Sequence, residues 1–541
     1  MRRVWIGAAI LGITLLNFFQ FPGHTWLQSD TQIYAPILEH LWNPAVLQKD
    51  LIAQHPHVAF TLYDETALAL RWATGLDFRY VLEGEQFVVR ALGIWGVYLI
   101  ATALGLSDLL ALMVAAIFSL GATILGPSVL LFEYEPVPRG LAVPLMFLAT
   151  GLIAHERFVG GGVAASVAFL MHAPTVFPFW MVYVAWAAWP SRAYTMRRKL
   201  IPLCVLTAAG LVLLAASLPE TSSAETRPFF TRLDPHQEEL QRMRAGYNFV
   251  SLWWRQRIVH YLILYAATIA AVWRLRRDMP QPLRFFSLGL PLMGLASIPV
   301  SYVLLEKLHW ALIPEVQPLR ALLFVTAFAM LLGAAAAARA LAGRHYAEAL
   351  AWLVLAFLPP VNREIAWPPW NRAGVVIALA LLTLAAMRVI QSGARWSKLA
   401  AAVAIVVPFF VIPTWGRVEN YPRLHTPELT QLAAWGRTST PQDSVFLFPD
   451  ADQDLEPGVF RAKALRAVYV DWKTGGQVNF FQDLGEEWWR RWQQTMAQPF
   501  DPHDLARYQG LGIDYLVVGT KNKLAATPPV FENALFAAYK L

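Results

Sequence analysis

The sequence predicts a polytopic α-helical membrane protein of about thirteen transmembrane helices with a small C-terminal extracytoplasmic α/β domain. Three observations predict it. Of the 541 residues, 57% are hydrophobic and only 15% are charged, against about 25% charged in an ordinary soluble domain. The missing charge is missing in blocks, each near the length that crosses a hydrocarbon core. The cations sit in short connectors between those blocks: Arg2-Arg3, Arg197-Arg198-Lys199, Arg274 with Arg276-Arg277, and Arg388 with Arg395 and Lys398. That is how connectors retained in the cytoplasm are marked.

Spans are expected at 4–21, 88–106, 108–126, 140–154, 158–172, 174–189, 200–218, 257–273, 284–304, 320–341, 347–359, 373–389 and 398–415. The first resembles a signal peptide, but it has no small-residue cleavage site and reads as an uncleaved span. With the N-terminus in the cytoplasm, alternate counting puts every cationic cluster on the cytoplasmic side, together with His155-Glu156-Arg157 and Arg344. Three long connectors then lie outside: Pro22 to Phe87, Pro219 to Gln256 (with Glu220, Glu225, Arg227, Arg232 and Asp234), and everything from Gly416 onward. The expected division is a membrane domain over 1–415 and a soluble domain over 416–541. The setting is a plasma (inner) membrane with a periplasmic-type C-terminal domain.

In the first outside loop, 34–48 and 57–74 are amphipathic at helical period, with Phe60, Leu68 and Trp72 against Asp64, Glu65 and Arg71. Such helices fit the membrane interface, or serve as ordinary extramembrane helices. In the last domain, β-type runs at Val445–Phe448, Ala467–Val470 and Tyr515–Val518 alternate with helical stretches near 427–437 and 484–496. Trp488, Trp489 and Trp492 read as core or interface residues.

Several function classes are excluded. The net charge of +7 comes from loop cations, without the basic stripe and interleaved aromatics of a nucleic-acid binder. Cys204 is the only cysteine, so there is neither an intramolecular disulfide nor a cysteine metal site. No nucleotide-binding Gly-rich loop, zinc-ligand spacing or Gly-x-Ser-x-Gly elbow occurs. Gly160-Gly161-Gly162 lacks the strand and Lys that a phosphate cradle needs.

The informative residues are ionisable groups near the outer surface, where an unpaired charge is costly unless it is used. Asp30 follows the first span by about nine residues. Glu133-Tyr134-Glu135 and Arg139 share the second outside turn, which Pro136 and Pro138 hold extended. His172 marks the outer end of the fifth span, and Gln317 and Arg320 the outer start of the tenth. A carboxylate can act as general base toward an acceptor hydroxyl, and arginines can clamp a phosphate. Glu133 and Glu135, spaced i, i+2 on an extended segment, could hold a divalent cation, Mg or Mn. No other cofactor is called for. Each residue also has a structural alternative: Arg139 snorkels, His172 caps a helix, and Glu133 and Glu135 only pair with Arg139.

In architecture and motif position the chain resembles the GT-C membrane glycosyltransferases. Asp30 occupies the acidic position of the first extracytoplasmic loop, 34–48 and 57–74 match its interfacial helices, and the residues from Gly416 match the terminal soluble domain. Glu133-Tyr134-Glu135 resembles a second acidic motif, and Arg320 after Gln317-Pro318 the basic residue directed at the lipid-linked phosphate. The Asp-Asp or Asp-x-Asp pair of some members and the Trp-Trp-Asp signature of oligosaccharyltransferases are missing. The resemblance implies hexosyl or pentosyl transfer from a polyprenyl-phosphate sugar to an extracytoplasmic glycan, lipid or protein. Asp30 would be the base, Arg139, Arg320 and Gln317 would hold the donor phosphate, and His172 would orient either. The alternatives are a transporter or flippase of a lipid-linked substrate, and a non-enzymatic envelope-assembly protein. The last would leave Asp30 more than about 15 Å from Arg139, His172 and Arg320, beyond the reach of one reacting centre.

Overall fold

The computed structural model describes residues 1–54, 61–221, 229–365, 369–525 and 527–541. Phe60, Glu225 and Arg227, singled out above, lie outside them. Apolar runs become helices wherever the bilayer leaves the backbone no partner but itself. In chain order these are α1 (Arg2–Phe19), α2 (Thr31–Trp42), α3 (Tyr63–Thr74), α4 (Phe78–Ala103), α5 (Asp108–Ser119), α6 (Pro138–Ala154), α7 (Phe158–Ala188), α8 (Met196–Thr221), α9 (Pro235–Arg244), α10 (Arg255–Leu275), α11 (Gln281–Ser301), α12 (Leu312–Val316), α13 (Leu322–Ala342), α14 (Tyr346–Val361), α15 (Trp370–Gln391) and α16 (Ser397–Thr414). Among the described residues, nine helical stretches are long and apolar enough to cross a membrane, and α5, α6 and α14 are shorter apolar helices.

The expected spans at 158–172 and 174–189 form a single run of helix, α7, but not a straight one. His172 leaves helical geometry at φ −158°, ψ 82°. The rings of Phe158 and Trp186 stack with centroids 5.9 Å apart, where a straight helix would separate them by about 42 Å. The run therefore doubles back at His172, and each expected span has its helical segment. Two boundaries differ. α4 begins at Phe78, ten residues before the apolar run, because a polar amphipathic stretch continues the same helix outward. α5 stops at Ser119, where a β-hairpin (β1, Thr123–Ile124; β2, Val129–Leu130) takes over.

The connectors sort onto two faces. On one, Arg2 pairs with Asp108 at 2.7 Å, Arg198 with Glu156 at 3.5 Å, Arg274 with Glu348 at 2.7 Å, and Arg339 with Asp278. On the other lie the 20–77 and 120–137 segments, the His172 bend and the C-terminal unit. Exposed tryptophans mark both ends of α10: Trp254, its N-cap, and Trp273, in its last turn, are 65% and 64% exposed and stand about 28 Å apart along the helix axis, as membrane-interface aromatics do.

α13 is the central helix. Its apolar window is 100% buried, and the Ala334–Ala338 run lets α5, α10, α11 and α14 approach it closely. α6 is buried along nearly its whole length and packs on α4 through glycine. A β-carbon on Gly96 would overlap the Leu148 backbone, and one on Gly151 the Gly96 carbonyl. Gly96→Val is expected to cost roughly 3 kcal/mol or more through overpacking, read as a lower unfolding temperature in detergent.

Beyond α16 the chain forms a five-stranded sheet: β3 (Val445–Leu447), β4 (Ala467–Val468), β5 (Tyr515–Gly519), β6 (Phe531–Glu532) and β7 (Phe536–Lys540), ordered β4-β3-β5-β7-β6. β3 runs parallel to β4 and β5, with Phe446 opposite Val468 and Tyr515; β7 runs antiparallel to β5 and β6. α17 (Pro427–Ser439), α18 (Glu456–Ala464) and α19 (Gln482–Thr495) pack around it. Trp488 and Trp492 are core residues, as expected.

The first outside loop is wedged between this unit and the bundle. Leu27 and Ala35 join the core of Val459 and Phe460. Buried Asp50 accepts from Arg461 at 2.7 Å, and Arg461 also reaches Asp471 at 2.6 Å. α2 matches the expected 34–48 segment only as far as Trp42, and turns follow.

Candidate active site

Each site residue sits where an element begins or bends. Asp30 is the N-cap of α2. Arg139 follows Pro138 at the start of α6. Arg320 lies in the short turn that leads into α13, after Gln317 in left-handed geometry (φ 49°, ψ 60°). His172 is the bend of α7. The starts of α2, α6 and α13 thus face one cavity of about 480 Å³, and helix starts carry partial positive charge. Arg139 lies in the first turn of buried α6 and Arg320 two residues before buried α13, so the bundle core fixes their backbones.

Asp30 is held from two sides. One carboxylate oxygen accepts from Arg139 at 2.7 Å, the other from Lys473 at 2.6 Å. Its side chain is 25% exposed. Burial alone would push its carboxyl up, but Lys473 and Arg139 together hold it well below the usual range. Arg320 places one guanidinium nitrogen 3.3 Å from His172 Nε2. Its Nε, and both amide atoms of Gln317, are buried without a hydrogen-bond partner among the described residues. Arg320 Nε and Gln317 Nε2 are unspent donors beside a cavity, where a ligand's oxygens would sit. Arg244, at the end of α9, stacks on Trp472 with its guanidinium carbon 3.6 Å from the ring centre and donates to the Trp472 carbonyl. Burial pushes it down to about 10. The cavity is lined by four cations, Arg139, Arg244, Arg320 and Lys473, and by the acids Asp30 and Glu315.

Glu133 and Glu135 do not act as a pair. The chain bends at Tyr134 and Glu135, so the alternation of an extended segment fails and the two side chains diverge. Glu133 pairs with Arg139 at 2.7 Å and accepts from the Leu130 amide. Glu135, 2% exposed, accepts from the amides of Gln28, Ser29 and Thr31 at 2.6, 3.0 and 3.1 Å and from the Thr31 hydroxyl at 2.6 Å. It pins the loop that carries Asp30. These donor sets do not fit a shared divalent cation, and no metal-ligand cluster occurs among the described residues. Beneath them, buried Arg90 and Gln86 of α4 donate to the Glu133 carbonyl at 2.6 and 2.8 Å.

Asp30, Arg139, His172, Gln317 and Arg320, distant in the chain, line one cavity. Sequence reasoning missed Lys473, Arg244, Tyr34 and Trp472. Tyr34 alone carried a local signal, one helical turn after Asp30.

A family described as a domain of unknown function (DUF6798) matches residues 427–495, the stretch that contains Lys473. No curated protein matches the chain. Among solved structures, the chain is similar to ArnT from Cupriavidus metallidurans, apo and bound to undecaprenyl phosphate. The identity is 13%, covering 99% of this chain and 97% of that one, with a TM-score of 0.46. It is similar to an Archaeoglobus fulgidus oligosaccharyltransferase tethered with an acceptor peptide, at 12% identity, 95% and 69% coverage and a TM-score of 0.42. It is also similar to the arabinofuranosyltransferase AftD from Mycobacteria, at 17% identity and a TM-score of 0.42. The match covers 97% of this chain and 35% of that one.

Proposed function

We propose that this protein is a GT-C-type glycosyltransferase that moves a hexosyl or pentosyl group from a polyprenyl-phosphate donor to an extracytoplasmic acceptor. The reading rests on one observation: two acids and four cations from separate stretches of chain meet in one cavity at one membrane face. The face that carries Asp30 is read as extracytoplasmic.

A carboxylate clamped by two cations is a weak base. The donor phosphate offers those cations a second anion. As Lys473 and Arg139 turn toward it, Asp30 regains basicity beside the acceptor. Asp30 then takes the acceptor's hydroxyl proton while the acceptor oxygen bonds to the anomeric carbon. The bond from that carbon to the phosphate oxygen breaks, and polyprenyl phosphate leaves with the electron pair. Arg320, braced by His172, and Gln317 receive the charge that develops on the phosphate. Burial pushes the Tyr34 phenol up, so it stays protonated and can donate a hydrogen bond in the cavity. Glu133 and Glu135 position Arg139 and the Asp30 loop, and transfer is expected to survive a chelator of divalent cations. A transporter would carry its ionisable groups near the midplane, whereas the charges of this cavity lie where helices begin, end or bend.

The test is purified protein in detergent with a polyprenyl-phosphate sugar, scored for release of polyprenyl phosphate, and mass spectrometry of the co-purified lipid. A polyprenyl phosphate on the protein, lost in Arg320→Gln, supports the reading; no carrier lipid and no release with any donor overturns it. Lys473→Met is expected to lower kcat/KM for the donor by roughly a hundredfold to a thousandfold, the scale of one lost charge-directed donor. An unchanged value would remove Lys473 from the site.

A further inference from the structure

A second cavity, of about 600 Å³, opens on the same face where α1, α14, α15 and α16 end or begin. Its wall holds three arginines, Arg363, Arg372 and Arg417, against a single acid, Glu419. Glu419 is itself 3.9 Å from Arg423. Arg372 is fixed by donating to the Val361 and Arg417 carbonyls at 3.3 and 3.0 Å. The guanidinium groups of Arg363 and Arg417 have no acidic partner among the described residues. Asn362, also in the wall, is 1% exposed, and neither of its amide atoms has a partner among the described residues.

Depth names the occupant. Trp370, at the start of α15, and Trp415, which caps α16, are 91% and 74% exposed. Both belong to helix ends that border the cavity, at the level where tryptophan meets lipid headgroups. Apart from Thr123 and Asn420, the rest of the wall is apolar, with Phe132 and Pro359 among it. A water-soluble anion would gain nothing from that wall, whereas a lipid can place its phosphate on the arginines and its glycerol and upper chains on the apolar part. We infer that this cavity binds the phosphate headgroup of an anionic membrane lipid from the leaflet on the Asp30 side. The inference does not depend on the transferase reading. The site is linked to the candidate active site through the chain: Phe132 lines the lipid cavity, and the next residue, Glu133, holds Arg139.

The test is native mass spectrometry of delipidated full-length protein with phosphatidylglycerol or phosphatidylcholine of equal chain length. The expected result is a preference of roughly thirtyfold for phosphatidylglycerol, the scale set by two basic side chains at a lipid surface. It is lost in the double variant Arg363→Gln/Arg417→Gln and kept in Arg363→Lys/Arg417→Lys. Equal retention of the two lipids overturns the inference, as does a preference that survives the glutamine variant. Loss in the lysine variant as well would overturn the charge argument. Displacement of phosphatidylglycerol by millimolar inorganic phosphate would make this a soluble-anion site and overturn the lipid assignment.

Discussion

Asp30→Asn is expected to abolish transfer, by roughly 10²–10⁴-fold for a lost general base, while binding of the polyprenyl phosphate product is kept or strengthened. The asymmetry follows from the site. In the native protein Asp30 competes with any phosphate for Arg139 and Lys473, at 2.7 and 2.6 Å. An amide keeps the shape but not the charge, so both cations become available to the ligand. A merely structural Asp30 would behave differently: its loss would loosen the loop, and binding would fall with activity. The two measurements are the transfer rate and the affinity for polyprenyl phosphate. Wild-type transfer in this variant would sink the assignment of Asp30. Loss of binding together with transfer would make the residue structural.

The second large effect is expected at Arg461. This guanidinium is fully buried and shared between Asp50, of the first outside loop, and Asp471, of the C-terminal unit. Arg461→Ala leaves two buried carboxylates without their counter-ion, a change that costs about 3–5 kcal/mol. Asp471 lies two residues before Lys473, so the variant is also expected to lose transfer. Thermal unfolding of the full chain in detergent is the check, and a wild-type midpoint would show that the network carries no stability. Acid should act in the same direction. Burial raises and Arg461 lowers the Asp471 carboxyl, with the net result below its ordinary value. Its stabilising contribution is therefore complete above the unfolded value of about 3.9. It is lost only as pH falls through the lower folded value.

The membrane architecture was legible because the bilayer imposes one rule everywhere: apolar runs of sufficient length, with cations in the connectors. The doubled-back course of α7 was legible too, since charge counting required a turn at His172. Asp30, Arg139, Gln317, His172 and Arg320 were legible by depth, as polar groups at the ends of apolar segments. Lys473 and Arg244 were not. They come from water-exposed stretches where a Lys or Arg is unremarkable, and 443 residues separate Lys473 from Asp30. Packing of the α/β unit on the first loop brings in Lys473, and stacking on Trp472 brings in Arg244 from α9. Glu135 was legible as an acid but not in its role. The i, i+2 argument needed extended backbone, and the bend at Tyr134 turned the carboxylate toward the amides of residues 28–31.

The wedged position of the first outside loop has a consequence for biogenesis. Asp30 precedes α2–α16 in the chain, whereas its partner Lys473 follows all of them. Until the sheet folds and Arg461 settles on Asp50, the loop has no lid and the acid only one of its two cations. A chain that has made its bundle but not yet its C-terminal unit therefore carries an incomplete site, and docking of that unit is the step that completes it.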